Sequence, residues 1–186
     1  CRVMGRNDDI LVVVVAGPTA SGKSAAATAI AREFNGVVIN ADSMQIYDGL
    51  PLLTARPTVA EMGEIPHRLY GVLEIGEVCS AARWRDMAIT EIEAARDAGL
   101  LPVLCGGSGL YIKALMEGLS PIPEIPADIR RSVRAGLETR GVAAMYEDLT
   151  ARDPVMATRL KPTDRQRISR ALEVLAATGR SLADWQ

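Results

Sequence analysis

Between Ile10 and Arg32 an apolar run, a glycine-rich loop and an alanine-rich stretch follow one another directly. The loop reads Gly17-Pro18-Thr19-Ala20-Ser21-Gly22-Lys23-Ser24, a complete G-x-x-x-x-G-K-[ST] pattern. The apolar run Ile10-Leu11-Val12-Val13-Val14-Val15-Ala16 is of strand length, and the stretch after the loop favours helix, so the pattern stands in the strand–loop–helix setting that gives it meaning. That setting constrains the fold tightly. The glycines let backbone N–H groups turn inward around an anion, and the helix N-terminus adds a partial positive charge. Lys23 supplies a point charge for phosphate oxygens, and the Ser24 hydroxyl is a ligand for magnesium. All eight residues are candidate binders of a di- or triphosphate, and Ser24 is the candidate metal ligand.

Short apolar runs then alternate with longer helical stretches, the signature of a parallel sheet with crossover helices. Strands are expected over residues 10–16, 37–40 and 101–105, with a weaker one over 69–73. Helices are expected over 23–34, 81–98 and 109–116, the second with Ser80 as N-cap and Gly99 just past its end. Residues 119–126, Leu-Ser-Pro-Ile-Pro-Glu-Ile-Pro, form a proline-punctuated linker. Beyond it nothing reads as strand: helices are expected over 127–140, 142–153 and 165–178, and Ser181 caps a fourth. The expected fold is α/β: a P-loop NTPase-like parallel sheet core with helices on both faces over residues 1–120, and an all-helical module over 121–186.

A hydrophobic share of 48% supplies a proper core, and aromatics at 4% make it aliphatic. No apolar run approaches the roughly 20 residues of a membrane helix, and no signal peptide is visible, so no membrane partner is expected. Cys1, Cys79 and Cys105 fit no zinc spacing and read as thiols of a reducing cytoplasm. The net charge of −2 hides an asymmetry. Residues 1–127 carry 10 Lys+Arg against 15 Asp+Glu, whereas residues 128–186 carry 11 against 8. Arg159, Lys161, Arg165, Arg167 and Arg170 crowd into one window opposed by Asp164, a pattern that reads either as a solvated helix face or as a patch that meets phosphates.

Ligands of open parallel sheets bind at the carboxyl ends of strands. The second strand runs into Asn40-Ala41-Asp42-Ser43-Met44-Gln45, and the 101–105 strand into Gly106-Gly107-Ser108-Gly109. With the phosphate loop, these should converge on one site. The 101–105 strand ends in Cys105 and glycine, without the acid that holds magnesium in ordinary phosphate-loop ATPases. Asp42 is the one acid directly behind a clear strand, which favours transfer chemistry in which it handles a substrate proton. His67, the sole histidine, is a poor metal ligand and reads as structural or at a cleft rim. Arg56, in Thr54-Ala55-Arg56-Pro57, is within reach of an anion.

Six ordered motifs carry a resemblance: GPTASGKS, NADSMQIYDGL, TARPT, PHRLYG, GGSGLYIKAL and DRQRISRALEV. From about Leu11 onward the chain resembles the bacterial tRNA dimethylallyltransferases, also called tRNA isopentenyltransferases. The resemblance implies that the phosphate loop grips the diphosphate of dimethylallyl diphosphate with Mg2+. It also implies that the prenyl group passes to the exocyclic amine of the adenosine next to the tRNA anticodon. Asp42 resembles the general base, Ser108 stands where the family usually has a threonine hydroxyl beside the reacting groups, and Lys23 neutralises the leaving group. Asp42, Ser43, Met44 and Gln45, together with Gln166, Arg167, Ile168, Ser169 and Arg170, resemble two tRNA-contact segments. Ser108 and Arg130 resemble further contacts. Leu53 replaces a glycine common in the family, and the chain stops well short of a family member's length, so the C-terminal part of the family fold is expected to be absent. A monomer in the cytoplasm is the working expectation.

Two other chemistries fit parts of the pattern. An adenylate isopentenyltransferase gives the same group to free AMP, but needs no basic helical platform. A shikimate-kinase-like enzyme also pairs a GKS loop with an acid after the second strand, but its lid is too short for three further helices.

Overall fold

The computed structural model describes residues 2–3, 10–49 and 54–186. Cys1 and Leu53 lie outside the described residues. The chain divides into two units, Cys1–Leu119 and Ser120–Gln186.

In the first unit, β1 (Arg2–Val3), β2 (Ile10–Leu11) and β3 (Val13–Ala16) precede helix α1 (Lys23–Glu33) and strand β4 (Gly36–Asn40). Then come the single-turn α2 (Val59–Met62), β5 (His67–Arg68), α3 (Ala81–Asp97), β6 (Leu101–Gly106) and α4 (Gly109–Glu117). Strands β3, β6, β4 and β5 form one parallel sheet in that order, while β1 and β2 pair separately and antiparallel. The register sets Cys105 of β6 between Val15 of β3 and Asn40 of β4. The middle strands thus end together, beside the loops that follow them.

Helices cover both faces. On one, Ala27 and Ala31 of α1 pack with Val38, Tyr70, Val103 and Cys105. On the other, Trp84, Ala88 and Ile92 of α3 and Tyr111 and Leu115 of α4 pack with Ile39 and Leu104. Alternate residues of β4 and β6 therefore serve opposite layers, and β4 is buried along its whole length, as a doubly covered parallel strand must be. Small residues let α1 approach closely: a Cβ at Gly36 would lie 2.7 Å from the Leu101 carbonyl oxygen and 3.1 Å from Ala31 Cα.

Two details correct the expected elements. The run 10–16 is two strands in different sheets, split at the buried Val12. The strand expected over 69–73 lies earlier, at His67–Arg68, because Leu69 adopts φ 61° and leaves the pleat. Leu73 then makes only an isolated bridge to Tyr47. Ser80 does cap α3, accepting from the Arg83 N–H at 3.1 Å, and Gly99 follows with φ 67°.

The second unit is helical: α5 (Ala127–Arg152), α6 (Pro154–Thr158), α7 (Arg165–Thr178) and a 3-10 turn, Leu182–Asp184. The helices expected over 127–140 and 142–153 are both present: α5 is two helices that meet at Gly141, whose φ of 78° and ψ of 167° are not helical. The short α6 was not expected, although its start signals are present. Asp153 accepts from the Met156 N–H at 3.0 Å, and Pro154 takes the first helical position, where no donor is needed. Ile168, Ala171, Leu172 and Val174 of α7 close an aliphatic core with Val133, Leu137, Met145 and Leu149 of α5. Ser181 caps the terminal turn through the Ala183 N–H. No described helix is long and apolar enough to cross a membrane.

Candidate active site

The phosphate loop leaves β3 and enters α1 through Gly22, whose φ of 78° puts it in the left-handed region that suits glycine. Pro18 to Gly22 are exposed, while Lys23 and Ser24 are half-buried. The first-turn N–H groups of α1 have no intrahelical partners and face an incoming anion. Lys23 Nζ donates to the Pro18 carbonyl at 2.9 Å, arching its ammonium across the loop. An ammonium carries three donors, so two remain for phosphate oxygens.

Behind the loop, β6 ends at Cys105-Gly106. A Cβ on Gly106 would overlap the Ala41 main chain, so only glycine lets β6 pass the end of β4 this closely. A Cβ on Gly107 would lie 3.1 Å from the Gly17 carbonyl oxygen and 4.0 Å from Asp42 Oδ2. That turn therefore lies close to both the phosphate loop and the Asp42 carboxylate. The three strand-end segments meet as the sequence implies.

Burial pushes the Cys105 thiol up from its ordinary range, while the Ser24 hydroxyl, Lys23 ammonium and Tyr70 hydroxyl beside it pull the other way. The result is a neutral thiol flooring the site, with no thiolate to act as nucleophile. Tyr70 is likewise raised, first by burial and then by Cys105 and Asp42, so its hydroxyl keeps its proton.

The Asp42 carboxylate has two distinct oxygens. Oδ1 caps the turn, accepting from the Met44 N–H at 2.9 Å and the Gln45 N–H at 3.4 Å. Oδ2 is the one on the Gly107 side. One oxygen thus holds the loop. Ser108 Oγ accepts from the Ser43 N–H at 2.8 Å, and the Ser108 N–H donates to Ala41 O at 3.2 Å. The Ser108 O–H remains a donor.

Several expected contact residues have structural duties. Gln45 is buried, and its amide donates to Thr54 O at 2.8 Å and Ala55 O at 3.3 Å, so it braces a loop. Ile168 is 0% exposed and its side chain belongs to the helical core. Met44, Arg130, Gln166 and Arg167 are exposed; Ser43, Ser169 and Arg170 are partly so. Arg167 pairs with Asp164 at 3.5 Å and Arg170 with Glu173 at 3.6 Å, so the basic window is opposed by more than Asp164. His67 bonds Ile65 O at 2.8 Å through Nδ1, faces Thr28 Oγ1 at 3.5 Å and packs on Tyr70, a structural placement. The Arg56 guanidinium fills the space over Gly71 and pairs with Asp48 at 3.6 Å.

Two residues were not singled out from sequence. Asn40, fully buried, bonds the main chain on both sides of Asp42, and Trp84 Nε1 donates to the Asn40 carbonyl at 2.9 Å. A polar residue closing the apolar run Val37-Val38-Ile39, directly before the loop, was the available signal for Asn40. For Trp84, 44 residues away, there was none.

Fold and site together define a phosphate-loop α/β protein whose candidate carboxylate, Asp42, follows β4 of the parallel sheet. The family model described as IPP transferase matches residues 45–186. The chain belongs to the IPP transferase family. It is 63% identical over 174 residues to a protein named tRNA dimethylallyltransferase from Paramagnetospirillum magneticum, covering 94% of this chain and 55% of that protein. A protein of the same name from Rhodospirillum rubrum is 55% identical over 174 residues, covering 94% and 53%. Among solved structures, the full-length tRNA isopentenylpyrophosphate transferase of Bacillus halodurans aligns with TM-score 0.59 and 36% identity, covering 92% of this chain and 56% of that one. A eukaryotic dimethylallyltransferase acting on tRNA aligns with TM-score 0.73 and 30% identity, covering 93% and 43%. The chain thus spans about half the length of the relatives it matches.

Proposed function

We propose that the protein transfers the dimethylallyl group of dimethylallyl diphosphate to the exocyclic amine of the adenosine adjacent to the tRNA anticodon. The observation that carries this reading is the Gly107 turn, which lies close to the phosphate loop and to Asp42 at once. A diphosphate on the loop N–H groups and Lys23 leaves its carbon end toward that turn. The amine nitrogen attacks that carbon as the carbon–oxygen bond breaks, the electron pair departs with diphosphate, and Asp42 Oδ2 takes up the amine proton. Ser108 directs its remaining O–H to the reacting groups.

Magnesium fits the donor set. Among the described residues no group of three or more His, Cys, Asp or Glu side chains forms a metal site, but Mg2+ bound to a diphosphate needs only one or two protein oxygens and keeps several waters. The half-buried Ser24 hydroxyl, in the first turn of α1, is such an oxygen. Bound there, the ion would neutralise charge growing on the leaving diphosphate.

A stacked adenine cannot present its amine to a core electrophile, so the base must flip out of its stack. The RNA is then held by exposed or partly exposed side chains of the helical unit, with Arg130, Gln166, Arg167, Ser169 and Arg170 as the candidates, and by Ser43 and Met44 near the site. The setting is a reducing cytoplasm, in keeping with Cys79 and Cys105 as free thiols.

The test offers labelled dimethylallyl diphosphate to the intact protein with an anticodon stem-loop or with AMP, and separately ATP with small alcohols. Label in the stem-loop is expected. Label in AMP alone points to the cytokinin-type reaction, and phosphate on an alcohol to a kinase; either result overturns the proposal.

A further inference from the structure

A general base works only if its oxygen is held in one place, and the hydrogen bonds around Asp42 name the residue that holds it. Asn40 is 0% exposed, and its side chain bonds main chain at three points. Oδ1 accepts from the Asp42 N–H at 2.9 Å, and Nδ2 donates to Asp42 O at 3.0 Å and to Leu69 O at 3.0 Å. Both peptide groups flanking the Asp42 Cα are therefore fixed by one amide, which also ties them to the chain after β5. Asn40 is itself clamped. Its own carbonyl accepts from Trp84 Nε1 at 2.9 Å, and Trp84 is 0% exposed and stacks on Tyr111 at 4.6 Å. Its neighbour Ala41 donates its N–H to Cys105 O at 2.8 Å, continuing the ladder to β6.

We propose that Asn40 is a positioning residue for the transfer reaction: its amide fixes the Asp42 main chain so that Oδ2 stays at the Gly107 turn while Oδ1 caps the loop. This rests on the reading of Asp42 as proton acceptor. Asparagine suits the post because it offers an acceptor and a two-proton donor on one short planar group. Neither Asp nor Leu of similar size does both. A buried carboxylate would set an oxygen against two carbonyl oxygens, and an apolar group would leave two carbonyls and an N–H short of partners.

Asn40→Ala and Asn40→Asp, each alone and combined with Asp42→Asn, test this in the intact protein. Turnover on an anticodon stem-loop and affinity for dimethylallyl diphosphate are read together. The single variants are expected to lose kcat by about 10–10²-fold, the scale of an ångström-size misplacement of a reacting group. Diphosphate affinity stays within about twofold, since the phosphate loop makes none of these bonds. In the Asp42→Asn background the same substitutions cost nothing further, because a group acting through Asp42 has nothing left to position. A loss that multiplies fully in that background, or kcat near normal in the single variants, overturns the role of Asn40 and leaves Asp42 as base. Near-normal turnover of Asp42→Asn alone overturns the base reading and this proposal with it. Asn40→Asp carries the test if Asn40→Ala fails to fold.

Discussion

The two units deploy their polar groups in opposite ways. In the first, the side chains that matter are short and committed: Asn40, Asp42, Gln45 and Ser108 each bond a main-chain N–H or C=O at the ends of parallel strands. In the second, Arg130 and Arg167 project from helices, and the pairs they or their neighbours make, Arg167 with Asp164 and Arg170 with Glu173, are surface pairs. Such pairs are worth about 0.2–0.5 kcal/mol and are screened by salt. The contrast separates two tasks. A reaction needs one oxygen held at one place, so the first unit commits buried hydrogen bonds to rigidity. Under the proposed function, the second would serve as a nucleic-acid surface, which needs many replaceable positive charges, and it keeps long side chains at the end of flexible stems over an aliphatic core. Loss of one atom should be severe in the first unit and graded on the surface of the second.

The sharpest form of that contrast is Asp42→Asn. The substitution keeps shape and the cap on Met44, and is expected to lower turnover by about 10²–10⁴-fold, the usual contribution of a positioned general base. Affinity for dimethylallyl diphosphate and for tRNA should hardly change. If Asp42 instead served magnesium, metal dependence and diphosphate binding would fall together with turnover, so a magnesium titration on the same variant separates the two roles.

In the second unit the comparable loss is of stability. Ile168→Ala should cost about 2–5 kcal/mol of unfolding free energy, because Ile168 is fully enclosed by the helical core and its removal leaves a cavity. Denaturant melts measure it. A change below about 1 kcal/mol would mean the side chain is not enclosed.

Neutralising Arg167 and Arg170 together is the smallest of these effects, and the one that tests the graded half of the comparison. It should weaken tRNA binding and reduce the log–log salt slope by roughly one unit for each phosphate that an arginine had neutralised. Dimethylallyl diphosphate should bind as before. A slope that stays the same would show these arginines serve only their pairs with Asp164 and Glu173.

How far the sequence reaches follows the same division. The phosphate loop, the capped helix α3 and the helix α7 depend on neighbours within a few residues, and these were legible. Asp164 accepts from the Arg167 N–H, and Gly179 closes α7 with φ 67°. The meeting of Gly107 with Gly17 and Asp42 followed from the rule on strand ends. The Oδ1 cap on Met44 and Gln45 is local, within three residues of Asp42. The bonds that hold the surrounding loops were not legible: Asn40 to Leu69 and Ser43 to Ser108 span 29 and 65 residues. β5 was misplaced for a local reason that composition hides: Leu69 turns through a left-handed conformation that leucine rarely adopts. The burial of Gln45 and Ile168 is also a tertiary fact. A motif places both in contact segments, whereas the packing assigns one to a loop brace and the other to a core.

The phosphate loop as the seat of the substrate diphosphate underlies every step above, and Lys23 offers the most direct test of it. Lys23→Met keeps bulk and removes the ammonium that arches over Pro18. Titration calorimetry of the intact protein with dimethylallyl diphosphate and magnesium should show affinity reduced by about ten- to a hundredfold, the worth of a charge-assisted bond of about 1.5–3 kcal/mol, with the melting temperature little changed. Unchanged affinity in the variant would remove the loop from the mechanism and contradict the assignment of the diphosphate to it.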